Sequence, residues 1–91
     1  MMTTPGKLIV FEGIDGSGKT TQLKRAAHWL THEGYKVAAL LEPTYGPHGR
    51  ILRESARAGR LSPEAERDLF VLDRRWDVET NILPALAAGK I

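Results

Sequence analysis

The chain has 91 residues, with 13 Lys and Arg against 11 Asp and Glu, and a formal charge of +2. That length holds one small domain with a modest core, and so mild a charge does not argue for a nucleic-acid polymer or an anionic membrane as partner. The lack of cysteine excludes disulfides and thiolate metal sites. The opening MMTTPGK has no apolar signal core and no apolar run is long enough to span a bilayer, so a soluble cytoplasmic protein is expected.

Residues 7–12, KLIVFE, form a compact apolar run between Gly6 and Gly13, which predicts a short buried strand. From Lys19 to about Glu33, Leu23, Ala26, Ala27 and Leu30 recur at spacings of three and four. This predicts an amphipathic helix that Gly34 stops. Residues 35–42, YKVAALLE, make a second strand-like run that ends at Pro43. Strand, helix and strand in this order form a βαβ unit, with a parallel pair and a right-handed crossover.

The segment EPTYGPHG reads as a loop, and a helix is expected from about Gly49 to Ala58. Ser62, Pro63 and Glu64 make a helix start: N-cap serine, proline at the first helical position, and acid in the first turn. The helix continues with Ala65, Leu69, Leu72 and Trp76 as one apolar stripe, and Pro84 should kink or end it. The final AAGKI reads as a helix end, a turn and the first residue of a third strand. Two strands cannot make a stable doubly wound sheet, so the chain is expected to be the N-terminal part of a larger domain.

Gly13, Ile14, Asp15, Gly16, Ser17, Gly18, Lys19 and Thr20 match G-x-x-x-x-G-K-[ST] at every fixed position. Glycines let successive backbone N–H groups curl around a phosphate, and the following helix points its positive end at the same anion. Lys19 is placed to reach the β- and γ-phosphates of ATP, and the Thr20 hydroxyl to ligate Mg²⁺. With Thr21, these residues are the expected ATP site. The loop is shared by GTPases, motor ATPases and small-molecule kinases, so the acceptor must be read elsewhere.

Phe70 and Arg74 lie four apart on the predicted third helix and share one face. An aromatic platform beside a guanidinium fork suits a nucleoside monophosphate, and equally suits an ordinary core ring beside a solvated charge. Arg50, Arg57 and Arg60 fall at helical spacing with Arg53 and read mostly as a solvated face. His28, His32 and His48 show no metal-ligand pattern and read as surface or loop residues.

FEGIDGSGKTTQ at 11–22, LEP at 41–43, GRILR at 49–53, LFVLDRR at 69–75 and PALAAGK at 84–90 occur in the order of the thymidylate kinase family, which the chain resembles over nearly its whole length. The resemblance implies an α/β P-loop NTPase fold, a parallel sheet flanked by helices, of which the lid and later strands lie outside this chain. It implies phosphorylation of a nucleoside monophosphate, most typically dTMP, by ATP with Mg²⁺, in a homodimer. It also implies roles residue by residue. Asp15 would face the deoxyribose 3′-hydroxyl, and Glu42 would sit beside the monophosphate. Arg53 and Arg74 would hold the acceptor phosphate with Lys19 as the donor-side catalytic cation, and Phe70 would stack on the base.

Where bacterial members commonly read R-E-P-G-G, this chain has Leu41, Glu42, Pro43, Thr44 and Tyr45. One acceptor-site arginine is missing and a bulky ring replaces a glycine, which leaves the base open. A kinase for another small acceptor remains a reading, as does a nucleotide-binding module without catalysis. The 91 residues alone are not expected to be active.

Overall fold

A computed structural model describes residues 5–14 and 16–91. Its contacts divide the chain into two units, one running up to Ala39 together with Pro84–Ile91, the other Leu40–Leu83.

The first unit carries α1 (Lys19–His32). The periodicity is borne out: Leu23, Ala26, Ala27 and Leu30 are half-buried while the rest of the helix is exposed. Gly34, at φ +96°, ends it, with its N–H donating to Thr31 O and that of Tyr35 to Leu30 O, each at 3.0 Å.

The two expected strands are not formed, and among the described residues there is no strand at all. The two apolar runs do not pair with each other. Each turns its hydrogen bonds to the end of the chain instead. Ile91 N–H donates to Lys36 O and Ala38 N–H donates to Ile91 O, both at 2.9 Å, which are the two bonds of a single parallel bridge. On the other run, Lys7 N–H donates to Lys90 O at 3.1 Å. A direct parallel pair between residues 7–12 and 35–42 is therefore corrected: residues 90–91 bond to both runs. One bridge is too short to make a ladder. Leu8, Ile9 and Val10 consequently stay 56%, 53% and 64% exposed.

The second unit is built on α2 (Pro47–Ala58) and α3 (Pro63–Asp77), which pack together. α2 starts two residues before the expected Gly49, with Pro47 in its first turn. The start of α3 follows the sequence closely: Ser62 Oγ accepts from Ala65 N–H at 3.2 Å. Ala65, Leu69 and Trp76 of the expected stripe are half-buried, but Leu72 is 41% exposed and the most enclosed positions are Asp73 and Asp77, each 1% exposed. A five-residue π-helical turn (Val78–Ile82) follows, and then α4 (Leu83–Ala87). Pro84 has no N–H to give an α-helical bond, and the discontinuity it demands is taken up in that wider turn. Leu52 is the buried apolar side chain among the described residues. No helix among them is long and apolar enough to cross a membrane.

Candidate active site

The glycine-rich stretch before α1, the expected phosphate loop, takes at two described positions a backbone that favours glycine. Gly16 and Gly18 have φ of +80° and +88°, a region that side chains with a Cβ avoid. Gly18 is the N-cap of α1, so the helix opens directly from the loop and its first N–H groups face outward. Ser17 N–H donates to Ile14 O at 3.1 Å and closes the turn. Gly16, Gly18, Lys19, Thr20 and Thr21 line one open depression. Lys19 lies across the loop, its Nζ donating to Gly13 O at 2.9 Å. Asp15, expected to face the acceptor sugar, lies outside the described residues.

The second unit holds the residues expected on the acceptor side. Arg74 Nε donates to Glu42 Oε1 at 2.6 Å, and Glu42 keeps 24% side-chain exposure against 67% for Arg74. Burial pushes the Glu42 carboxyl above its ordinary value. The Arg74 guanidinium pulls it back down and the neighbouring Asp77 pushes it up, with burial prevailing. Phe70, one helical turn before Arg74, is 46% exposed and thus open to a ligand.

Arg53 stands beside the same loop, but its bonds go to the backbone. Its Nε donates to Thr44 O at 3.3 Å and its Nη2 to Pro43 O. Its guanidinium carbon lies 4.3 Å from the centre of the Tyr45 ring, a cation–π distance. Arg50 Nε donates to Tyr45 O at 2.7 Å. Two arginines read from sequence as surface charge and phosphate ligand are therefore seen holding three consecutive carbonyls.

Sequence reasoning passed over the residues that hold this loop from the α3 side. Thr44 N–H donates to Asp73 Oδ2 at 2.8 Å and Thr44 Oγ1 donates to Asp73 Oδ1 at 2.6 Å. Gly46 N–H in turn donates to Thr44 Oγ1 at 2.9 Å. A Cβ on Gly46 would meet the Trp76 ring at 2.6 Å, so the loop backbone passes close against the indole. A signal was available. Asp73 sits four residues after Leu69 and three before Trp76, and a carboxylate on an apolar face requires buried donors. Among the described residues, no buried side-chain nitrogen or oxygen lacks a hydrogen-bond partner.

The structure thus brings Glu42, Arg53, Phe70 and Arg74 into one unit and places Lys19 and Thr20 in the other. A family model described as Thymidylate kinase matches residues 11–91. The chain is 46% identical over 92 residues to the thymidylate kinase of Desulfotalea psychrophila, covering 100% of this chain and 46% of that protein. Over 90 residues it is 51% identical to the thymidylate kinase of Xanthomonas campestris pv. campestris (strain B100), covering 99% of this chain and 40% of the relative. Against the Akkermansia muciniphila thymidylate kinase it is 51% identical over 84 residues, 92% of this chain and 41% of that protein. The chain spans less than half the length of these relatives.

Proposed function

The chain belongs to the thymidylate kinase family, and from that premise we propose that it is the N-terminal part of a nucleoside monophosphate kinase that converts dTMP and ATP to dTDP and ADP. The observation that carries this reading is the Glu42–Arg74 pair at 2.6 Å. It joins the loop after the second apolar run to the helix face that exposes Phe70. A ring, a cation and a carboxylate on one face suit a base and an anionic phosphate together.

The P-loop NTPase fold belongs to the family, and the parallel sheet flanked by helices is part of this proposal. Supporting it is the parallel bridge at Ile91, which lies beside the second run while Lys90 O bonds the first. A homodimer and a cytoplasmic setting are proposed on the resemblance alone.

In the reaction, an acceptor phosphate oxygen forms a bond to the γ-phosphorus as the bond to the β-phosphate oxygen breaks, leaving the electron pair on ADP. The acceptor is already anionic, so positioning and charge neutralisation outweigh proton transfer. The loop amides and the α1 N-terminus bind the donor phosphates. Lys19 exchanges its bond to Gly13 O for a donor phosphate oxygen. Arg53 reaches the acceptor phosphate with the guanidinium edge not engaged on the two carbonyls. Arg74, steered by Glu42, supplies the second cation, and Phe70 the base platform.

Thr20 lines the same depression as Lys19, and its hydroxyl is a hard oxygen donor of the kind that Mg²⁺ takes. Held there by the Thr20 hydroxyl, Mg²⁺ would supply neutralisation of the donor phosphate charge. The test is turnover by the full-length protein of dTMP, dUMP, dCMP, dGMP and UMP with ATP. A preference for dTMP is expected, and equal turnover of all five removes the case for thymidylate. Such a panel also exposes a different acceptor, which the departures at Leu41 and Tyr45 make worth scoring.

A further inference from the structure

Asp73 is the most enclosed side chain of the second unit together with Asp77, each 1% exposed. Asp77 faces Glu42 itself and its Oδ1 accepts from Asn81 at 2.8 Å in the turn that follows it, whereas Asp73 bonds to the loop two residues beyond Glu42. Both carboxylate oxygens go to Thr44, one accepting the backbone N–H at 2.8 Å and the other the hydroxyl at 2.6 Å. Thr44 is itself 6% exposed. Water cannot easily replace either bond there, so the contact fixes the loop in position as well as in orientation.

The neighbours of these two residues give the contact its consequence. Thr44 lies two residues after Glu42, and Asp73 immediately precedes Arg74 and is one turn after Phe70. We propose that Asp73 is a positioning residue of the acceptor site, setting through Thr44 where Glu42 meets Arg74. This rests on the acceptor-site reading given above. Asp73 touches neither nucleotide nor phosphate. It acts through the loop, and the threonine at position 44 is the side chain built to receive it.

Kinetics and amide hydrogen exchange of the full-length protein test this together. Asp73→Ala should raise the acceptor KM about tenfold while the KM for ATP stays within about twofold. Exchange at the Thr44 and Gly46 amides should quicken by about tenfold or more. Asp73→Asn should restore most of both, because its amide still meets the Thr44 N–H and hydroxyl. If Asp73→Ala fails to fold, Thr44→Val removes only the hydroxyl and should raise the acceptor KM by about threefold or more.

A folded Asp73→Ala protein with unchanged acceptor KM and unchanged exchange would overturn the proposal. So would a parallel rise in both KM values, which marks a general structural role, or an acceptor KM unmoved by Thr44→Val. A wild-type protein that phosphorylates no nucleoside monophosphate defeats the reaction reading instead. Exchange at Thr44 and Gly46 then decides the positioning role by itself: faster in Asp73→Ala and restored by Asn supports it, unchanged refutes it.

Discussion

Arg74 donates through Nε to Oε1 of Glu42 at 2.6 Å, joining residues 32 apart in the chain. With Arg74 largely exposed, such a pair contributes about 0–1 kcal/mol to stability. Its value lies in geometry: it fixes a guanidinium one helical turn after the exposed Phe70.

Glu42 gives the structure a pH dependence of known sign. Its carboxyl is held above the ordinary value of 4.5 by burial, against the pull of Arg74 and with the push of Asp77. The fold therefore favours the protonated acid. That contribution is fully present below about 4.5 and is lost as pH rises through the folded value. Glu42→Gln removes the dependence, so in the full-length protein the Tm advantage of wild type over the variant should shrink as pH is raised from about 4 to 7. A difference that stays constant or grows over that range contradicts the assignment.

Lys19→Ala should abolish ATP turnover by the full-length protein while leaving its circular dichroism unchanged. The lysine lines the depression at the start of α1 and its Nζ donates to Gly13 O. Turnover within a factor of two of wild type would show that the donor phosphates bind elsewhere.

Arg74→Ala and Phe70→Ala should differ in kind. The arginine supplies a charge-assisted contact worth roughly 1.5–3 kcal/mol, so its loss should cut kcat/KM for every nucleoside monophosphate by about tenfold to more than a hundredfold. Loss of the ring should instead flatten the preference among bases, since stacking supplies area and shape. Measured over the same acceptor panel, unchanged kinetics in both variants would make this helix face mere surface.

The 91 residues expressed alone should show no cooperative thermal transition and negligible dTDP formation. Leu8, Ile9 and Val10 are more than half exposed, and a single bridge at Ile91 leaves both apolar runs as open edges. A sharp calorimetric transition with steady product formation would overturn this expectation.

What the sequence disclosed depended on how local the determinant was. The glycine turn that opens α1, the Ser62 cap and the half-buried face of α1 follow from spacing and turn chemistry within a few residues, and all are present among the described residues. The pairing of the apolar runs is not local: both bond to residues 90–91, and no periodicity in either run names its neighbour. The hold of Asp73 on the Thr44 loop is only half legible for a related reason: spacing sets the carboxylate against the apolar face, but nothing local names its partner. An apolar stripe drawn through Leu72 puts Asp73 on its flank, whereas the burial of Asp73 depends on two donors from Thr44, 29 residues away. The resemblance implies Arg53 as a phosphate ligand because its position matches the family pattern. Its carbonyl bonds arise from a loop conformation that no residue spacing encodes.

Label transfer from γ-labelled ATP decides most directly whether this chain serves a thymidylate kinase. In the full-length protein with Mg²⁺ and dTMP, the label should appear in dTDP with one ADP formed for each dTDP. Label released as inorganic phosphate, or retained in bound ATP with no acceptor-dependent ADP, would contradict phosphoryl transfer to a nucleoside monophosphate.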